Sequence, residues 1–454
     1  MSRRSSRAMT SWTGGRSVVG MSDQPRVFYG WVVVATAALG LFLGAFPIVA
    51  FSFGVFFPSF VREFHASRAE VSLAFTIHNF LSGIFAVVVG RIADRSGARY
   101  VILPGLLVVA TLLLSAEAIG SRLSELYLFY IALGVVGSAT TSVPYALVVS
   151  RWFDRRRGVA LGGMMVGLGL GAVVMPVVAQ RLIASFGWRN AFALVGCATL
   201  TIPLPIVGAF LKDAPAQIGL LPDGASPDET ALSRRGSGSD GIAWHDARQS
   251  GTFWLLIAVF VLLAASVHAC VIHLPQLFAD RGASAENAAM ASSVVGLALL
   301  VGRIGCGYFL DRYFGGRVAL AICLGAALGI ALLWTGGAGG LALAGAFLVG
   351  LGMGAEVDIL AFLMSRYFGL KSLGATMGFA FAAFVIAGGL GPLVMGLVFD
   401  RTGSYRVPLA AFGSAAIIAA MLATRLGPYR FEAPPEAARR PAWRRAERPS
   451  EGCE

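Results

Sequence analysis

The chain carries twelve separate apolar runs, each long enough to cross a bilayer as a helix. They lie at roughly 29–57, 71–92, 100–120, 126–149, 158–181 and 190–211, and, after a polar gap, at roughly 252–278, 287–310, 318–337, 340–364, 373–399 and 406–425. A helix rises about 1.5 Å per residue, so about 20 apolar residues match the hydrocarbon thickness. With no water to satisfy backbone groups in that layer, runs of this kind fold as helices. The expected fold class is an all-α membrane protein of twelve transmembrane helices in two six-helix bundles. Composition agrees: 57% of the residues are hydrophobic, only 13% are charged, and the 57 glycines suit close helix packing.

The gap at 212–251 reads as a linker. It holds Pro215, Pro222 and Pro227 and then Ser233-Arg234-Arg235-Gly236-Ser237-Gly238-Ser239, a stretch with nothing to bury and hence expected to be flexible and aqueous. The expected organisation is a disordered cytoplasmic tail at 1–27, a first bundle at 28–211, the linker at 212–251, a second bundle at 252–426 and a cytoplasmic tail at 427–454. No apolar stretch with a cleavage site precedes the first run, so a cleaved signal peptide is not expected. Met1 and Met21 are both candidate starts.

The net charge of +12 would raise nucleic acid as a partner if it formed one patch, but the basic residues punctuate the apolar runs instead. Assigning the loops alternately puts 27 Lys and Arg on the side of both termini and the linker, against eight on the other side. This asymmetry orients a multi-pass protein of the cell's inner (plasma) membrane with both termini in the cytoplasm. The one remaining basic residue, Arg303, stands inside the eighth run.

The halves repeat. Gly90-Arg91-Ile92-Ala93-Asp94-Arg95-Ser96-Gly97-Ala98-Arg99 closes the second run, and Gly307 to Arg317, containing Asp311 and Arg312, closes the eighth. Arg151-Trp152-Phe153 ends the fourth run and Arg366-Tyr367-Phe368 the tenth. The paired elements lie 217 and 215 residues apart. A duplicated six-helix unit is the build of secondary transporters, whose solute site lies between the halves. Physically, Gly90 permits close helix approach, Asp94 suits a helix N-terminus, and Arg95 and Arg99 can pair across the face. The alternative is a solvated loop that only sets topology.

On these elements the chain resembles the major facilitator superfamily, from Tyr29 to Tyr429. The loop signature matches at Gly90, Asp94, Arg95, Gly97 and Arg99, and its second copy has one extra residue. The resemblance implies gating by these residues, with Arg151 and Arg366 as partners of the loop Asp94 and Asp311. Phe28-Tyr29-Gly30-Trp31, Ser52 to Phe57, Gly187-Trp188-Arg189 and His273-Leu274-Pro275 are similar to the monocarboxylate transporter and oxalate/formate antiporter group. That group uses an eighth-helix Arg on the substrate carboxylate, a place Arg303 matches. A guanidinium fork suits a carboxylate, and an ionisable group at membrane depth is functional by default. A structural ion pair with Glu356 or Asp358 is the competing reading.

Departures from the group narrow the substrate. Leu299 stands where its mammalian members have an Asp, and Lys212 and Lys371, the only lysines, lie in loops. A dianion is therefore disfavoured. Glu356 and Asp358 in the tenth run are candidates for the coupling proton. Positions i and i+2 diverge on a helix, so one is expected in the cavity and the other against a neighbour. His78, Asn79, Tyr145 and His273 are further substrate-binding candidates; a lone membrane His is more often a hydrogen-bonded packing group, aromatic packing is an equal reading of Tyr145, and Pro275 is expected to break the outer end of the seventh helix. No phosphate loop, metal cluster or enzyme triad appears, since Gly167 to Gly171 follows no strand. Five cysteines without ligand spacing read as free thiols.

The expectation is thus a monomeric secondary transporter, without cofactor or metal, of a small organic anion, a monocarboxylate, by proton coupling or exchange. Membrane lipid and the proton are its other partners. Efflux of amphipathic drug-like compounds and a non-transporting solute sensor are the alternatives.

Overall fold

The computed structural model describes residues 28–153, 156–222, 241–369 and 372–429. The two tails, the choice of start and the centre of the linker lie outside them. Twelve crossings are present. In the first half they are α1 (Tyr29–Phe42, Pro47–Phe51 and Phe53–Phe64), α2 (Arg68–Ser96), α3 (Arg99–Leu114), α4 (Leu123–Gly137 and Ser142–Trp152), α5 (157–186) and α6 (188–210). In the second they are α7 (Gly251–Asp280), α8 (Ala285–Arg312), α9 (Gly315–Trp334), α10 (Gly340–Phe368), α11 (Leu373–Thr402) and α12 (Arg406–Ala423).

The α1 crossing and the α5–α6 junction depart from single straight rods, and α4 passes through a 3₁₀ turn at Ser138–Thr140. Between its first two pieces α1 loses helical pairing, and Pro47 offers no N–H to restore it. Hydroxyls from other helices replace the lost partners. Thr140 of α4 accepts from the Ala45 N–H at 3.3 Å, and Thr199 of α6 donates to the Leu43 carbonyl at 3.2 Å. A broken helix survives in hydrocarbon only when its freed groups are satisfied in this way. Helices α5 and α6 run on from one another through Gly187, whose φ of 78° and ψ of 166° make the turn that a side chain would oppose. Conversely, the break expected at Pro275 does not occur, and α7 continues to Asp280. The ring costs one backbone bond but packs against Gly54 of α1, where an added Cβ would stand 2.9 Å from it.

The first half is knit by aromatic packing at the end away from the linker. Phe56 of α1 stacks on Phe192 of α6 at 4.1 Å, and Phe60 meets Trp188 edge-on at 5.3 Å. In the second half α9 packs on α10 and α12, and α7 on α11. The halves meet chiefly along two seams, α2 with α11 and α5 with α8, and the last piece of α1 also packs on α7. Glycines set their closeness: a Cβ on Gly296 would lie 2.3 Å from the Ala172 carbonyl, and one on Gly396 2.9 Å from the Ala69 nitrogen.

The linker is not free at its ends. Lys212 O accepts from the Trp152 indole at 2.7 Å, and the buried Asp213 carboxylate accepts from the Arg99 N–H at 2.9 Å, capping α3. On the other side Ile242 N–H donates to Phe368 O at 2.9 Å, and a short helix, Trp244–Gln249, sets Trp244 against Phe253 of α7 and Phe379 of α11. The Lys212 carbonyl and the Asp213 carboxylate anchor the first end, and Ile242 and Trp244 anchor the second.

Candidate functional site

Helices α8 and α10 touch backbone to backbone because glycines face each other's partner. A Cβ on Gly302 would stand 2.6 Å from the Leu351 carbonyl, and one on Gly354 2.1 Å from that of Leu299. This contact carries Arg303, next to Gly302, and Asp358, one turn beyond Gly354, into the same layer. Arg303 Nε lies 3.2 Å from Asp358 Oδ2. The pair is close but not aligned as a hydrogen bond, since Nε has no such partner among the described residues. The two side chains keep 23% and 39% exposure. Arg303 is eight residues from Asp311, about 12 Å along the helix from its linker end.

Glu356 points elsewhere. It is 1% exposed, and its Oε1 lies 3.7 Å from His268 Nδ1 of α7. That nitrogen faces the Ala264 carbonyl at 3.0 Å and carries its hydrogen there. Glu356 Oε2 is without a hydrogen-bond partner among the described residues. The two acids diverge, as positions i and i+2 on a helix must. One layer therefore holds one guanidinium and two carboxyl groups, one half-open and one enclosed. In a low-dielectric setting such a set binds, exchanges or balances charge.

Among the described residues, none of the remaining binding candidates makes a hydrogen bond or ion pair with Arg303, Glu356 or Asp358. His78 is buried on α2 against α4, with its ring 6.3 Å from that of Tyr130. Tyr145 is buried against Gly40 of α1, where an added Cβ would meet its hydroxyl at 2.2 Å. Asn79 donates to Val385 O at 3.3 Å across the α2–α11 seam. His273 is fully used elsewhere. Its Nε2 donates to Pro392 O at 2.9 Å and lies 3.1 Å from Ser72 Oγ, and its Nδ1 accepts from the Tyr405 hydroxyl at 2.9 Å.

Among the gating candidates, the side chains of Asp94 and Asp311 lie outside the described residues. Arg95 is exposed and Arg151 half-buried. Gly97 turns the chain with φ of 96°, and it is Asp213, from the linker, that occupies the α3 N-terminus there. Arg99 also donates to Gly208 O. Arg312 stacks over Tyr308 at 3.6 Å, and Arg366 lies over Phe362 at 5.0 Å. The close approach expected at Gly90 is absent. An added Cβ would meet only Val143 of its own half at 3.9 Å, and at Gly307 nothing within 4 Å.

Sequence reasoning missed a polar clasp at the end opposite the linker. Arg68, at the start of α2, grips Asp280 of α7 with both terminal nitrogens at 2.8 and 2.9 Å and donates to Tyr405 at 2.7 Å. Its guanidinium lies 3.8 Å over the Phe399 ring. The N–H groups of Arg68 and Ala69 donate to the Asp400 carboxylate at 3.1 and 2.8 Å. The partners are 212 and 331 to 332 residues away in sequence, so no local spacing announces them. The only signal was an acid at the end of both the seventh and the eleventh run.

Known proteins agree with this architecture. Residues 37–392 match the Major Facilitator Superfamily. The chain is similar to Monocarboxylate transporter 11 of Homo sapiens, 27% identical, with 85% of this chain and 80% of that protein covered. It is similar to Monocarboxylate transporter 13 of Bos taurus, 26% identical, with 87% and 88% covered. The MFS transporter asaE of Aspergillus flavus is 26% identical, with 75% and 74% covered. Among solved structures, the inward open xylose transporter XylE from E. coli superposes with a TM-score of 0.69 at 15% identity, covering 88% of this chain and 97% of that one. A bacterial homolog of the human lysosomal transporter Spinster gives 0.65 at 16% identity, covering 87% and 96%. The chain belongs to the Major Facilitator Superfamily, and it is a membrane transporter rather than an enzyme.

Proposed function

We propose that the chain carries a small monocarboxylate together with a proton, or exchanges one such anion for another, with Arg303 as the carboxylate anchor. The carrying observation is the Arg303–Asp358 pair at 3.2 Å, half-open and deep in the second bundle. An arginine whose Nε has a carboxylate nearby but no aligned hydrogen bond is poised to trade that neighbour for another carboxylate. The relatives named Monocarboxylate transporter 11 and 13 support the substrate class.

Charge balance supplies the coupling. One carboxylate neutralises Arg303, and a second ionised one in this layer would be uncompensated. An entering anion adds a negative charge, which one proton offsets when it is taken up by whichever of Asp358 and Glu356 is ionised at rest. Protonating Asp358 also releases Arg303. The linker end is the cytoplasmic end, the bundles run from 28 to 211 and from 252 to 426, and the protein acts as a monomer in the plasma membrane.

The test is uptake of labelled lactate or pyruvate into proteoliposomes with an imposed pH gradient. Saturable, gradient-driven flux that disappears in Arg303→Ala is expected. Flux of lactate unchanged by that substitution ends the carboxylate reading, and no flux of any organic acid leaves the drug-efflux and sensor alternatives.

A further inference from the structure

The two ends of the α2–α11 seam differ in kind. At the clasp end the helices are in contact and joined by ion pairs. Moving toward the linker, contact persists at Asn79 with Gly389 and at Gly83 with Val385, where a Cβ on Gly83 would stand 3.0 Å from Val385. Each residue gained on α2 is matched by one lost on α11, as antiparallel helices require. The same register sets Gly90 opposite Gly378. There the seam is parted: among the described residues a Cβ on Gly378 meets nothing within 4 Å, and one on Gly90 meets nothing from the other half within 4 Å. The α5–α8 seam repeats the pattern. Gly296 abuts Ala172 toward the clasp end, while Gly162 and Gly307, toward the linker, have nothing within 4 Å.

We propose that Arg68 is the clasp that holds this linker-open state, and that its release lets α2 and α11 close at Gly90–Gly378. The clasp is suited to the task because one residue of the first half engages two helices of the second. Its side chain holds Asp280 of α7, and its backbone end holds Asp400 of α11. Its guanidinium stack on Phe399 and its bond to Tyr405 keep the fork oriented. His273 ties the same Tyr405 to Ser72 of α2, so the clasp side of the seam is polar and fully paired. At the linker end the facing positions are glycines, which allow backbone contact with nothing to desolvate. A rigid body that rocks about its middle trades one contact for the other.

The experiment uses full-length protein in lipid nanodiscs with the pair Gly90→Cys/Gly378→Cys and a mild oxidant, the parent chain serving as control for native thiols. A disulfide needs Cβ atoms about 4 Å apart, so it reports closure. Adding Arg68→Gln is expected to raise the initial cross-linking rate about tenfold, the ratio that 1.4 kcal/mol produces. Asp280→Asn removes the same fork from the other half and is expected to do the same, which covers failure of either variant to fold. A second pair, Asn79→Cys/Gly389→Cys, whose Cβ atoms would stand 3.7 Å apart in the clasped state, is expected to cross-link more slowly in both variants. The proposal is overturned if cross-linking at 90/378 is unchanged in both, or if both pairs respond in the same direction, which is the mark of general loosening. No substrate is present, so the result stands apart from the carboxylate reading.

Discussion

Replacing Asp358 by Asn tests whether Arg303 is held in reserve for a travelling anion. At 3.2 Å and an effective dielectric of about 20, the Coulomb attraction is about 5 kcal/mol. Three features of the pair reduce that figure. Nε is not aligned for a hydrogen bond, and the partners keep 23% and 39% exposure, so solvent screens them. Desolvation of both groups takes a further share. A net of about 1 to 2 kcal/mol remains. If a substrate carboxylate competes with Asp358 for the guanidinium, that competition weakens anion binding by about five- to thirtyfold, and the Asn variant relieves it. The assay is titration calorimetry of purified protein with lactate at two pH values. Tighter binding with reduced proton uptake is expected. An unchanged dissociation constant, accompanied by a lower melting temperature, would show that the pair serves packing alone.

Three further outcomes follow from the geometry. Glu356→Gln keeps the fold, since its carboxyl makes no aligned hydrogen bond, yet alters the number of protons carried per anion in a pH-electrode measurement on proteoliposomes; an unchanged ratio removes Glu356 from the coupling. Gly167→Ala forces a methyl to within 1.9 Å of the Ala38 carbonyl and lowers stability by about 1 to 3 kcal/mol in thermal unfolding, whereas Gly325→Ala, with open space around it, is neutral or stabilising. Asp213→Ala removes the cap from α3 at a cost of about 1 kcal/mol and speeds proteolysis near the first end of the linker; equal digestion rates would refute that role.

Spans were legible in the sequence because each must be apolar for about 20 residues, a constraint that acts locally and leaves a local record. The run at 29–57 hid the break in α1. The break is paid for by Thr140 and Thr199, whose hydroxyls arrive from other helices and carry no mark of that duty. The gap between the fifth and sixth runs was visible, but its geometry, one glycine with positive φ at which the chain doubles back from α5 into α6, was not. Arg303, Glu356 and Asp358 stood out because charge at membrane depth is costly. Which acid meets the guanidinium needed the Gly302 and Gly354 contacts that fix how α8 lies on α10. His273 looked like a ligand for the same reason of cost, and the structure spends both its nitrogens on neighbours. Arg68, Asp280 and Asp400 lie at helix ends, where charge is ordinary, so nothing in their surroundings set them apart.

The anchoring of the linker bears on what joins the halves. Residues 212–217 are fastened to the first bundle, and 242–249 to the second. Severing the chain between 222 and 241 would leave both anchored ends in place. The two fragments, made together, would still present each other with matching seams and the Arg68 grip. Among the described residues, recognition between the halves resides in the helix faces.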